Sequence, residues 1–154
     1  MGSDSDVSTM EKAVGVLEHL GISYHMTVAS AHRSPERVRQ LIDDAPANGV
    51  KVFIVGAGAA AHLAGVVAAH STLPVIGVPI DSSPLKGWDA LLATVQMPPG
   101  VPVATVSVGG AGATNAAVLA AQILAISDEG ISESLDAYKK ELAAKVERAA
   151  AKIE

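Results

Sequence analysis

The chain has 154 residues, of which 49% are apolar and only 3% aromatic, and its 11 basic and 16 acidic side chains give a net charge of −5. A single domain with a core of small aliphatic side chains is therefore expected, and without a basic run a nucleic-acid partner is not. The lack of cysteine excludes disulfides and thiol catalysis, and no apolar run approaches the roughly 20 residues of a membrane span.

The first residues, Met1–Asp6, are small and polar and do not resemble a secretory signal, so we expect a cytoplasmic protein that makes no membrane contact. Ser8 and Glu11 have the spacing of a capping box, which predicts a helix from Ser8 to about Gly21. A Gly/Ser loop before a helix can cradle phosphate, because hydroxyls and free helix amides point outward together. The same side chains can equally act as helix caps alone.

The alternating residues Ile22–Ala29 predict a strand, and a short loop joins it to a helix with Ser34 as N-cap and Pro35 at its first position. His32 and Arg33 fall in that loop. An arginine beside a helix start can hold a phosphate bidentately, and a histidine there can move a proton near neutral pH. A surface histidine and a solvated arginine are the alternative interpretation.

A β-branched run, Val52–Val55, predicts a buried strand that leads into a glycine turn and then into an Ala-rich helix with His62 near its start. In a parallel sheet such a turn lies at the carboxyl ends of the strands, where ligands bind. The segment Gly56-x-Gly58-x-x-Ala61 also resembles a dinucleotide-binding fingerprint. That signal is weak, since the chain has no second domain for a substrate.

The rest of the chain continues the alternation of strands and helices, which predicts a doubly wound parallel sheet with its polar loops on one edge. A strand is also expected immediately before Gly2 and is absent, so we expect the natural start to lie upstream. No two histidines have helical metal spacing with a carboxylate, so no metal site is predicted. The predicted elements are strands at Pro74–Val78 and Val103–Val108 and helices at Trp88–Val95, Ala113–Ala125 and Ile131–Ile153.

Four motifs in order carry a family resemblance: Gly2-Ser-Asp-Ser-Asp6, Ser30-Ala-His-Arg33, Gly56 through Leu63, and Gln96-Met-Pro98. Together with the Ala-rich segment that follows them, they resemble the N5-carboxyaminoimidazole ribonucleotide mutases of purine biosynthesis, in the AIR carboxylase family. The resemblance covers about residues 1–126. The segment around Gln96-Met-Pro98 is more similar to the mutases than to the related carboxylases, which use free carbon dioxide.

This resemblance implies an α/β fold, a flavodoxin-like three-layer sandwich with a parallel sheet, in one domain over residues 1–154. It implies an isomerase that needs no metal or organic cofactor and that assembles as a homo-octamer with active sites between subunits. The C-terminal helix, about residues 131–153, is expected to pack on a neighbouring subunit. The partner is a small-molecule ribonucleotide.

The resemblance also assigns roles to residues. His32 matches the catalytic histidine, and His62 lies in the loop that lines the pocket and is taken as the second catalytic residue. Arg33 contacts the phosphate, and we place Asp6 on the ribose hydroxyls because a carboxylate repels phosphate. The substrate-binding residues implied are Ser3, Ser5, Asp6, Ser30, Arg33, Gly58, Ala59 and Leu63.

Three positions depart from the family pattern: Val7, Ala59 and Ala64 stand where Trp, Gly and Pro are usual. Ala59 could crowd the pocket or strain a turn that needs positive φ. A non-catalytic ribonucleotide-binding module is therefore the second hypothesis, and the carboxylase that uses free carbon dioxide is the third. A dinucleotide enzyme is a distant fourth.

Overall fold

The sheet has three parallel strands, β1 (Phe53–Gly58), β2 (Val75–Ile80) and β3 (Ala104–Thr105), in that spatial order. These bounds come from a computed structural model that describes residues 1–153. Every residue of β2 is buried, as expected of a central parallel strand covered by helices on both faces. β1 and β2 are paired along their full length, and the last pair is Gly58 opposite Ile80.

Helices cover both faces of the sheet. One face carries α1 and α5, and the other carries α2, α3 and the start of α4. This arrangement is the three-layer, flavodoxin-like α/β sandwich that the sequence predicts. The helices are α1 (Val7–His19), α2 (Pro35–Asp44), α3 (Leu63–His70), α4 (Trp88–Val95), α5 (Gly109–Ala125) and α6 (Glu129–Ala150).

The core on the α1 and α5 face is built from small side chains. Ala113, Ala116 and Ala117 of α5 are fully buried and pack with Met10 and Leu17 of α1. Because alanine adds only a methyl group beyond the backbone, α5 can lie close to both α1 and the sheet. The core is therefore filled by helices and strands that lie close together, and few large aromatic side chains are needed.

The strand predicted over Ile22–Ala29 is wrong, since these residues form no ladder. Their backbone contacts the first residue of the chain instead: the Met1 ammonium donates to Thr27 O at 3.1 Å, and Ala29 N–H donates to Met1 O at 2.9 Å. On the other side, Gly2 N–H donates to Gly56 O at 3.2 Å. Alternating side chains give a segment the pattern of a strand, but a strand also needs neighbours along its whole length.

Several predicted boundaries shift. The helix predicted from Ser8 begins at Val7, and the capping box belongs to Ser3 and Asp6 in a single 3-10 turn, Asp4–Asp6. β1 continues through Gly56 and Gly58, so the turn after it begins three residues later than predicted. β3 keeps only Ala104–Thr105 of the predicted strand, and the glycines at 109–112 form the first turn of α5.

The last helix, α6, packs on its own chain through its first half. Leu135 joins Leu20 and Ala121 in a small cluster, with Ile131 and Tyr138 at its edge. The apolar side chains of its second half, Leu142 and Val146, are 48% and 67% exposed. Within residues 1–153 no helix has the length and apolarity that crossing a bilayer requires.

Candidate active site

A cavity of about 310 Å³ opens at the carboxyl ends of β1 and β2. Its walls come from four separate stretches: the N-terminal loop, the loop before α2, the end of β1 with the start of α3, and the loop after β2. Parallel strands bring these loops to one edge, as the order of the elements predicts. The cavity therefore collects residues that lie up to about 80 positions apart in the sequence.

Hydrogen bonds within the N-terminal loop fix the positions of Ser3 and Ser5. Ser5 N–H donates to Ser3 Oγ at 3.3 Å, and Ser5 Oγ donates to the same oxygen at 2.9 Å. Ser3 N–H in turn donates to Asp6 Oδ2 at 3.1 Å. Ser3 is the N-cap of the 3-10 turn, and both serines line the cavity, so capping and ligand contact are compatible in this loop.

Asp6 is buried, with 4% of its surface exposed, although it lines the cavity. Burial raises the pKa of its carboxyl group above the ordinary value, because a charged carboxylate loses hydration there. The Ser3 and Gly2 amides, the Met1 ammonium and the Arg33 guanidinium oppose this rise. The same burial lowers the pKa of the Met1 ammonium.

Arg33 connects the loop before α2 to the N-terminal loop. Its side-chain Nη2 donates to Gly2 O at 3.0 Å, and its backbone N–H donates to Ser30 Oγ at 3.2 Å. A guanidinium has five N–H donors, and the side chain is exposed, so donors remain for an anion. An adjoining cleft of about 360 Å³ shares Ser3, Ser30 and Arg33 with the main cavity.

His32 and His62 form a hydrogen-bonded pair, although they lie in different loops. His32 Nε2 is 2.7 Å from His62 Nδ1, and the two rings meet edge to face with centroids 4.8 Å apart. His62 is the N-cap of α3, which fixes its backbone. In the neutral pair one of these two nitrogens carries the hydrogen of the bond and the other accepts it.

The turn after β1 is strained. Ala59 and Ala61 have φ of 51° and 45°, in the left-handed region that side chains disfavour. Ala61 N–H closes the turn by donating to Gly58 O at 3.0 Å. The turn brings the buried Ala61 and Leu63 against the cavity, whereas Ala59 is exposed to solvent.

Nine of the ten residues expected in the site line the cavity, and Ala59 does not. The cavity also contains residues that were not predicted: Gly2, Ala31, Ala57, Ala61 and Ser82. Ser82 lies in the polar loop Asp81–Ser83, which the element order places at this edge. No motif marks Ser82 as a site residue, because its position depends on how the loop folds back. The nine predicted residues that line the cavity are Ser3, Ser5, Asp6, Ser30, His32, Arg33, Gly58, His62 and Leu63.

Known proteins resemble this chain in both sequence and fold. The sequence pattern of the family described as AIR carboxylase matches residues 1–145. An N5-carboxyaminoimidazole ribonucleotide mutase of Bacillus subtilis is 54% identical over 136 residues, covering 88% of this chain and 84% of the relative. The mutase of Brucella melitensis is 52% identical over 140 residues, covering 91% and 86%. The crystal structure of Treponema denticola PurE superposes with a TM-score of 0.90 at 31% identity, covering 100% of this chain and 95% of that one.

Proposed function

This chain belongs to the AIR carboxylase family, and we propose on that basis that it converts N5-carboxyaminoimidazole ribonucleotide into its 4-carboxy isomer. It is an isomerase of purine biosynthesis, as the names of its relatives indicate. The observation that carries the chemistry is the His32–His62 hydrogen bond of 2.7 Å, in the same cavity as Arg33 and the N-terminal serines.

The sugar phosphate is held at the N-terminal side of the cavity. Arg33 has free donors beside the hydroxyls of Ser3, Ser5 and Ser30, a set suited to phosphate oxygens. Asp6 has a different role, because a carboxylate repels phosphate and accepts from the ribose hydroxyls. Its carboxyl group also holds the loop through Ser3 N–H.

The carboxyl group migrates at the opposite side, where the wall is apolar or bare backbone. Ala57, Gly58, Ala61 and Leu63 line this side. A carbamate on nitrogen loses carbon dioxide when that nitrogen is protonated, and the aminoimidazole left behind is a nucleophile at carbon 4. If carbon dioxide stays in this small space, its recapture is effectively intramolecular.

The histidine pair handles the protons of both steps. A protonated imidazole gives its proton to the exocyclic nitrogen as the carbon–nitrogen bond breaks. Carbon 4 then attacks carbon dioxide, and the imidazole takes the proton that leaves carbon 4, so that the pair ends in its starting state. His32 is the acid and base, and the hydrogen bond between its Nε2 and His62 Nδ1 holds the orientation of its ring.

The assembly we propose is a cytoplasmic homo-octamer in which neighbouring copies complete the sites. Apolar side chains are exposed on two helix faces among residues 1–153. One is the second half of α6, and the other is the outer side of α4, where Trp88, Leu92 and Val95 are 66%, 54% and 49% exposed. Apolar side chains at this spacing form one stripe, and such stripes mark protein contacts. The end of α6 docks on a neighbouring subunit. Sedimentation of the purified chain should give eight copies, and Leu92→Lys should reduce that number.

The test of the activity is to supply N5-carboxyaminoimidazole ribonucleotide and follow formation of the 4-carboxy isomer. A wild-type rate no faster than that in buffer would defeat the proposal. Isotopically labelled carbon dioxide in the solution separates the rival carboxylase: a mutase that traps its carbon dioxide incorporates little label, whereas a carboxylase incorporates it at the rate of turnover. Ribonucleotide binding without turnover would instead favour a non-catalytic module.

A further inference from the structure

The loop after β2 folds back so that Ser82 lies on the backbone of Gly58. The last paired residues of the two strands are Gly58 and Ile80, and Ser82 N–H donates to Ile80 O at 3.0 Å. A Cβ placed on Gly58 would overlap Ser82 Oγ and would lie 3.1 Å from Ile80 O. The hydroxyl of Ser82 therefore fills the space that the missing side chain of Gly58 leaves.

This hydroxyl makes no hydrogen bond with any of the described residues. The neighbouring Ser83 uses its Oγ to accept Leu85 N–H at 3.1 Å, whereas Ser82 contributes only its amide to the hydrogen bonds of the loop. Ser82 is exposed and lines the same cavity as the histidine pair. Its O–H is thus an available donor in the cavity, beside Gly58 at the carboxyl ends of β1 and β2.

We propose that Ser82 is a further substrate-binding residue, whose hydroxyl donates to a carboxylate oxygen of the migrating group while that group lies against Gly58. This inference rests on the proposed function. The cavity residues Ala57, Ala61 and Leu63 have apolar side chains, which cannot orient a carboxylate.

A neutral donor suits this reaction better than a cation would. An ammonium or guanidinium at this position would stabilise the carbamate in its charged form and oppose its decarboxylation. A hydroxyl orients the carboxylate before and after migration, and it holds neutral carbon dioxide only weakly in between. The barrier to decarboxylation therefore stays low, because the carbamate is not stabilised more than the transition state.

The experiment compares two ribonucleotides that differ only in the carboxyl group: 5-aminoimidazole ribonucleotide and its 4-carboxy derivative. Calorimetry gives the Kd of each for the wild type and for Ser82→Ala. Loss of one hydrogen bond to a charged group should weaken the 4-carboxy ligand about 10- to 100-fold. The ligand without the carboxyl group should bind within about twofold of wild type. Ser83→Ala is the matched control and should change neither Kd.

Each other outcome overturns the inference. Equal weakening of both ligands would mean that Ser82 only shapes the loop, and unchanged affinity for both would mean that its hydroxyl contacts neither. The proposed function is tested separately by turnover of the wild type. An inactive wild type that still shows the selective loss in Ser82→Ala would refute the mutase activity and leave the carboxylate contact standing.

Discussion

Replacing Ala59 by glycine should stabilise this protein, which is unusual for a glycine substitution. Ala59 has a φ of 51°, and an L-residue in the left-handed region costs roughly 1–2 kcal/mol. Glycine avoids that cost but is more flexible in the unfolded chain, which costs about 0.5–1 kcal/mol. The net expectation is a gain in the free energy of unfolding of about 0.5–1 kcal/mol from these two effects.

The adjacent Ala60 provides a matched control, because it is equally exposed and is not among the residues with positive φ. Ala60→Gly has the same effect on the unfolded chain without any strain to relieve, so it should destabilise by about 0.5–1 kcal/mol. The two variants should therefore differ by about 1–2 kcal/mol. That difference corresponds to roughly 2–8 °C in Tm for a chain of this size.

Urea denaturation followed by far-UV circular dichroism measures both variants, at one protomer concentration since assembly changes apparent stability. The reasoning fails if Ala59→Gly is no more stable than wild type, or if the two variants change stability by the same amount. Either result would mean that the turn carries no left-handed strain at Ala59.

The remaining predictions concern the site itself. His32→Asn should lower kcat about 10²- to 10⁴-fold with a Kd for ribonucleotide near wild type, and full activity in a steady-state assay would exclude His32 as the acid and base. Asp6 has a raised folded-state pKa, so its stabilising contribution is complete below its ordinary pKa of 3.8 and is lost as pH rises through the folded-state value. Asp6→Asn should therefore gain stability relative to wild type as pH rises across that window in urea titrations, whereas a pH-independent difference would contradict the assignment. In Gly58→Ala the added methyl group overlaps Ser82 Oγ, so this variant should be destabilised by about 1–3 kcal/mol and should have a lower kcat/KM. Its control is Gly15→Ala, on an open helix surface, which should be stabilised by about 0.5–1 kcal/mol. Equal effects of the two substitutions would show that the space beside Gly58 is not filled.

The sequence alone predicted the elements that are stabilised by local rules. Pro35 occupies the predicted first position of α2, although the Ser34 side chain bonds to the Ser30 backbone and does not cap the helix. The bounds predicted for α4, Trp88–Val95, are confirmed. The alternation of strands and helices along the chain also predicted a parallel sheet with its polar loops on one edge. These features depend on residues a few positions apart, so their physical causes can be read along the chain.

Other features depend on neighbours that are distant in the sequence. The alternation of Ile22–Ala29 is typical of a strand, yet among the described residues Met1 and the Arg37 side chain are the partners of Thr27–Ala29, so no ladder forms. The capping box predicted at Ser8 and Glu11 is wrong, because the structure has it at Ser3 and Asp6, whose carboxyl group is buried.

The site divides in the same way. The sequence determined which loops meet at the edge of the sheet and supplied His32, Arg33 and His62 as candidates, because the chemistry of a side chain is set by its identity. Only the tertiary structure decided that His32 Nε2 lies 2.7 Å from His62 Nδ1 and that Ser82 fills the space beside Gly58. Such distances depend on how separate loops pack in three dimensions, which no local pattern specifies.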